Sequence, residues 1–195
     1  YIWIDGFGNL RSKTRVYPEQ ADPGIGQSGW RVPIRMPSAD ELPVWNYDGS
    51  STGQALGSDS EVILRPVAVY PDPFRTGGAR LVLCETYLPS GEPHPSNTRR
   101  KAVELFNRDT SLKPMFGIEQ EFFLSVNKRP IGFPTNSSLP LPQGDYYCGA
   151  GGDNAIGREC VEEAFSKCLR AGLQLTGLNA EVAPSQWEFQ VCAIG

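Results

Sequence analysis

Four glutamates carry the chemistry open to this sequence. Glu119 and Glu121 stand one residue apart in the run Phe116-Gly117-Ile118-Glu119-Gln120-Glu121, and Glu181 and Glu188 flank Pro184-Ser185. In a strand, the side-chain period of two puts Glu119 and Glu121 on one face. Adjacent like charges destabilise a sheet, whereas a divalent cation shared between them turns the repulsion into binding. Taken alone, that pair reads more simply as a solvated strand face. The second pair changes the balance. A hairpin centred on Pro184-Ser185 is expected to set Glu181 opposite Glu188, with Val182, Trp187 and Phe189 as apolar neighbours lining a cavity. Four oxygen donors with no Cys or His companion suit Mg²⁺ or Mn²⁺ better than zinc. A paired-carboxylate glycosidase is the competing chemistry, although it needs only two of the four.

Other catalytic arrangements are weaker. The single histidine, His94, sits in Glu92-Pro93-His94-Pro95 with no nucleophile pattern around it, and is expected to be a loop residue. Gly149-Ala150-Gly151-Gly152 precedes a predicted helix and could cradle phosphate, but it matches neither a P-loop nor a dinucleotide fingerprint. The five cysteines contain no C-x-x-C pair, which argues against a disulfide framework or zinc knuckle and for reduced, intracellular thiols. A net charge of −4, with no basic tract longer than Arg99-Arg100-Lys101, points away from nucleic acid and anionic membranes. No apolar run approaches the roughly 20 residues of a membrane span. Small molecules or other proteins are the expected partners.

The elements that must position these groups fall into two textures. Residues 1–5, 61–70 and 80–88 are short β-rich runs between Gly and Pro clusters, and 18–43 reads as a long surface loop or insertion. Near Pro93 the pattern changes. Residues 96–107 offer a capped amphipathic helix. Asp153 is expected to cap a second helix that runs to Gly172, with Cys160 and Cys168 on its buried face. Residues 116–126 read as a strand, and 174–177 and 179–183 as two more. With 39% hydrophobic residues the chain can bury a core. The fold class expected is α+β: a small mostly β domain over 1–93 and the first part of a larger domain over 94–195. The chain opens on Tyr1 within one alternating segment and stops at Gly195 beyond another, so both ends read as cut.

Several motifs in order resemble glutamine synthetase of the eukaryotic type. They are Tyr1-Ile2-Trp3-Ile4-Asp5-Gly6, Trp45-Asn46-Tyr47-Asp48-Gly49-Ser50-Ser51-Thr52, Asp72-Pro73-Phe74-Arg75, Phe116 to Glu121, Pro142-Gln143-Gly144 with Tyr146-Tyr147-Cys148-Gly149, and Asn179-Ala180-Glu181-Val182-Ala183-Pro184-Ser185-Gln186-Trp187-Glu188-Phe189-Gln190. The resemblance implies a β-grasp-like N-terminal domain followed by an antiparallel-sheet α/β catalytic domain, truncated here at its C-terminus. It implies ATP-dependent ligation of ammonia to glutamate through γ-glutamyl phosphate, with Mg²⁺ or Mn²⁺ between nucleotide and amino acid.

Carried over by position, Glu121, Glu181 and Glu188 resemble ligands of the metal that organises glutamate and ammonium. Glu119 resembles a ligand of the phosphate-side metal, and Glu119, Glu188, Phe189 and Gln190 the ATP-binding positions. Asp48 is similar to the aspartate that binds and deprotonates ammonium across a subunit boundary; without the resemblance it is an ordinary turn residue before Gly. The resemblance further implies a ring-forming homo-oligomer and a cytoplasmic location, with a plastid or mitochondrion as alternatives. It also implies that a further histidine, a flap glutamate and phosphate-binding arginines lie beyond Gly195. Two departures stand out: Cys192-Ala193 replaces Gly-Pro, and residues 21–35 match nothing in the pattern. A noncatalytic structural relative and a γ-glutamyl-amine ligase are the alternative functions.

Overall fold

Alternating apolar and polar residues organise the first half into one sheet, seen in a computed structural model that describes residues 1–16, 36–75, 78–136 and 143–194. The 21–35 stretch lies outside the described residues. Two compact units form, Tyr1–Thr110 and Ser111–Gly195. The change of texture near Pro93 thus precedes a helix that belongs to the first unit.

The first unit holds β1 (Ile2–Ile4), β2 (Leu10–Ser12), β3 (Trp45–Asp48), β4 (Glu61–Pro71) and β5 (Arg80–Tyr87), followed by helix α1 (Thr98–Phe106). The strand order is β2-β1-β5-β4-β3, with β1 parallel to β5 and the other pairs antiparallel. Inward residues at period two, Val62 with Leu64 and Val82 with Cys84, join Tyr1, Trp3 and Tyr47 in its core. The β4–β5 register shifts between Pro66 and Ala68, where proline has no N–H to give the ladder. Helix α1 is capped by Asn97, whose side chain accepts from Arg100 N at 3.1 Å, one residue beyond the expected start.

His94 lies in the loop between β5 and α1, as expected, but is buried there as a scaffold group. Its Nε2 lies 2.6 Å from Gln54 O, and its Nδ1 lies 2.8 Å from Ser96 Oγ. Because a carbonyl only accepts, Nε2 carries the proton and Nδ1 accepts.

The second unit is built on β6 (Met115–Phe123), β9 (Leu175–Ala180) and β10 (Gln186–Ile194), an antiparallel sheet in the order β6-β10-β9. A short hairpin pairs β7 (Ser125–Val126) with β8 (Arg129–Pro130). Helix α2 (Arg158–Arg170) lies against one sheet face, where Phe122, Leu178 and Phe189 meet Val161, Phe165 and Cys168. Trp187, 1% exposed, anchors this layer and donates its Nε1–H to Ile156 O at 2.9 Å.

Three expectations are corrected here. Asp153 does not cap α2, because residues 151–157 form turns and the helix starts after Gly157, whose φ of 83° breaks the helical run. The Gly149–Gly152 stretch is therefore not joined to a helix N-terminus. Cys160, in the first turn, is exposed, and only Cys168 of the two helical cysteines reaches the sheet side. The two strands expected over 174–183 are the single strand β9, which Gly177 does not interrupt.

Candidate active site

The β6–β10 ladder fixes the glutamates. Glu188 pairs with Glu121, and Gln190 pairs with Glu119, so these four side chains share a face, two from each strand. Trp187, Phe189 and Phe122 alternate onto the other face against α2. Burial of that apolar face is what commits the carboxylates to the opposite one, since a one-residue slip would exchange the two sets. Phe189 thus presents its side chain to the helix layer, with its ring centroid 6.2 Å from that of Phe122.

The hairpin joining β9 to β10 differs from the sequence expectation. Glu188 faces Asn179, not Glu181, because the turn pivots between Ala183 and Pro184. Glu181 closes it, donating its N–H to Gln186 O at 2.8 Å, and Gln186 N bonds Ala183 O at 3.1 Å. Long-range anchoring explains the shift. Ser185, in the left-handed region at φ 57°, accepts Leu124 N at 3.0 Å with its carbonyl and donates its hydroxyl to Leu124 O at 3.2 Å, while Pro184 is fully buried. Glu181 nonetheless stays near the same face: Asn179 Nδ2 reaches its Oε1 at 3.4 Å.

Three carboxamides, Gln186, Gln190 and Asn179, hold these carboxylates, a role that sequence reasoning passed over. Gln186 Nε2 donates to Glu121 Oε2 at 2.8 Å, and Gln190 Nε2 donates to Glu188 Oε1 at 2.9 Å and to Asn179 Oδ1 at 3.1 Å. A signal was available, because 186, 188 and 190 alternate with apolar residues, as do 179 and 181. Glu188 is buried, Glu181 half-buried, and Glu119 and Glu121 exposed. Among the described residues no salt bridge reaches any of the four.

An open groove adjoins Glu119. Gly117, Thr176, Gln190 and Cys192 border it, and the glycine and the small thiol leave the sheet face uncovered there. The Cys192 that departs from the family pattern therefore lies on the carboxylate side, paired with Gly117. Near Glu181 and Glu188 stands Tyr147, whose neighbour Cys148 ties its loop to β9 through Cys148 N and Ala180 O at 2.9 Å. The Tyr147 phenol is pushed above its ordinary pKa, first by Cys148 and then by the charge of Glu181, with a smaller part from Glu188.

The donor set suits a hard divalent cation: carboxylate oxygens from adjacent strands on one face, with no thiolate or imidazole among them. Among the described residues no group of three acidic, His or Cys side chains converges tightly enough to hold an ion, because Glu121 and Glu188 are turned toward Gln186 and Gln190. Asp48 lies in the first unit, at the end of β3. Its carboxylate accepts from Ser50 Oγ at 2.6 Å and Ser50 N at 2.9 Å, which lowers its pKa and keeps it ionised at neutral pH.

The α+β fold, with a carboxylate face on the antiparallel sheet of its second unit, is consistent with part of a glutamine synthetase domain. Comparison with known proteins agrees. The chain is 49% identical over 193 residues to a glutamine synthetase of Panulirus argus, 49% over 197 to the cytosolic isozyme 1-3 of Arabidopsis thaliana, and 50% over 196 to a nodule isozyme of Lupinus luteus. Each alignment takes in 98% of this chain and 49% to 51% of the relative, so the chain spans about half the length of the curated relatives it matches. It matches no protein-family model. The chain belongs to the glutamine synthetase family.

Proposed function

We propose that this chain carries the glutamate-side carboxylates of a glutamate–ammonia ligase, which uses ATP to make γ-glutamyl phosphate and then glutamine. The observation that carries the reading is the β6–β10 register, with Glu121 opposite a buried Glu188 that no cationic side chain neutralises among the described residues. A buried carboxylate beside a second one is costly unless a cation joins them.

Glu121, Glu181 and Glu188 would hold one Mg²⁺ or Mn²⁺, and Glu119, on the groove, a second nearer the nucleotide. Bound there, the cations neutralise phosphoryl oxygens and orient the substrate carboxylate. The chain's own groups do the rest. Glu188 and Glu121 fix ligand positions from adjacent strands, whose rigidity sets the spacing. The uncovered face around Gly117 and Gln190 leaves room for phosphates beside Glu119, and main-chain groups of Phe189 and Gln190 are nucleotide contacts. Asp48, ionised by its Ser50 bonds, accepts a proton from ammonium at the face of a neighbouring subunit in a ring-shaped homo-oligomer. The cytoplasm is the proposed location.

Thermal melting with Mn²⁺ tests the metal site. At a hundredfold excess over its dissociation constant the ion should add about 2.7 kcal/mol, and Glu188→Gln or Glu121→Gln should abolish the gain. Melting that Mn²⁺ leaves unchanged, or an equal gain in both variants, would refute the reading.

A further inference from the structure

Gln190 and Asn179 form an unbroken hydrogen-bonded chain between two carboxylates that come from different sides of the hairpin. Gln190 Nε2 spends one proton on Glu188 Oε1 at 2.9 Å and the other on Asn179 Oδ1 at 3.1 Å, and Asn179 Nδ2 continues to Glu181 Oε1 at 3.4 Å. The direction is forced. Ionised carboxylates only accept, so each end must meet an NH₂ group, and Asn179 can receive Gln190 only through its carbonyl oxygen. The Glu188 end is the buried one, where a misdirected amide oxygen against a carboxylate would be most costly.

The backbone leaves a space for this arrangement. Gln190 is paired with Gly177 on β9, and a Cβ built on Gly177 would stand 2.2 Å from Gln190 Oε1. The carboxamide lies across a position where any other residue would put a carbon. Its neighbour Thr176 falls at the register irregularity that follows, where Val191 pairs with Leu175. Glycine here serves close approach of a side chain, and not a turn.

We infer that Gln190 is a positioning residue which, through Asn179 and over the bare Gly177, locks the carboxylates of Glu188 and Glu181 into one mutual orientation. The inference rests on the metal reading above and deepens it: the glutamates bind, and the carboxamides set the angle at which they do so. Groups that orient metal ligands commonly contribute tenfold or more to affinity.

Mn²⁺ binding to the 195-residue chain, followed by electron paramagnetic resonance, measures the effect. Gly177→Ala displaces the Gln190 carboxamide while leaving every polar group present, and Asn179→Ala cuts the chain at its middle. Each should weaken Mn²⁺ by about tenfold, and the double variant should be no weaker than about either single one, since both break the same connection. Far-ultraviolet circular dichroism checks that the fold persists; if Gly177→Ala does not fold, Gln190→Leu takes its place. Unchanged or multiplicative losses overturn the positioning role. A second readout needs no metal. In the metal-free chain the side-chain NH₂ resonances of Gln190 and Asn179 should both shift on Glu188→Ala, and an Asn179 signal that stays put overturns the proposal. Should the unsubstituted chain bind no Mn²⁺ while those resonances shift together, the metal reading fails and the orienting chain stands.

Discussion

Glu188 lies directly opposite Glu121 across the β6–β10 ladder and is the buried member of the pair, while Glu121 is exposed. Opposed Cβ atoms on neighbouring strands sit about 5 Å apart. Two full charges at that range repel by roughly 1 kcal/mol in water-like surroundings and by about 3 kcal/mol at an effective dielectric of about 20. Gln186 and Gln190 each offer one of the pair a neutral donor, which moderates the repulsion without cancelling it.

Removing one charge should therefore stabilise the metal-free protein. Glu121→Gln keeps an oxygen for Gln186 and should raise the metal-free unfolding free energy by about 1 kcal/mol. In saturating Mn²⁺ the order should reverse, with the unsubstituted chain the more stable. Urea titrations with and without the ion read both signs, and a variant less stable in both conditions would count against charge repulsion at this pair.

Trp187 decides whether the carboxylates keep their face. It is 1% exposed and bonded to Ile156 O, so Trp187→Ala should lower the stability of the second unit by about 3–5 kcal/mol. Chemical denaturation followed by circular dichroism measures the loss. A cost under about 1 kcal/mol would mean that the helix-side layer does not set the register.

Acid should loosen the β1–β2 turn through Asp5. Burial alone would raise its pKa, but bonds from Asn9 N at 2.8 Å, Arg11 Nε at 2.8 Å and Phe7 N at 2.8 Å outweigh burial and hold it at about 2. A folded pKa below the unfolded value of about 3.9 means a stabilisation that is complete above that value and lost as pH falls toward 2. Stability measured from pH 6 to pH 2 should fall less steeply in Asp5→Asn, which starts lower at pH 6.

Thiol labelling should separate the cysteines by position. Cys84 is buried in the first core and its pKa is pushed up to about 12 by burial, so alkylation should reach it only on unfolding. Cys148 and Cys160 are exposed and should react in the native protein. Mass spectrometry after a brief iodoacetamide pulse reads the order, and a protected Cys160 would contradict the observed start of α2.

Local pattern made much of this legible. The alternation through Glu119 and Glu121, and again through Trp187 and Glu188, depends only on the period of a strand, so β6 with its two glutamates on one face, and an extended run after Pro184-Ser185, could be read from the residues. The same logic found β4 and β5. It overran at Asp153, where a favourable capping residue lies before a turn that ends in the left-handed Gly157, after which α2 begins. It placed His94 in a loop, where it lies, but not its burial, since nothing nearby in sequence announces Gln54 as its partner.

By itself, the sequence determined which residues could lie together on one strand face and what chemistry their oxygens suit, because side-chain period and donor type are properties of neighbours. The tertiary structure decided that Glu188 meets Glu121 and Asn179, not Glu181. That register follows from Ser185 bonding to Leu124, 61 residues away, and from the burial of Pro184. Turn propensity leaves several pivots close in energy, and contacts of that sequence separation choose among them.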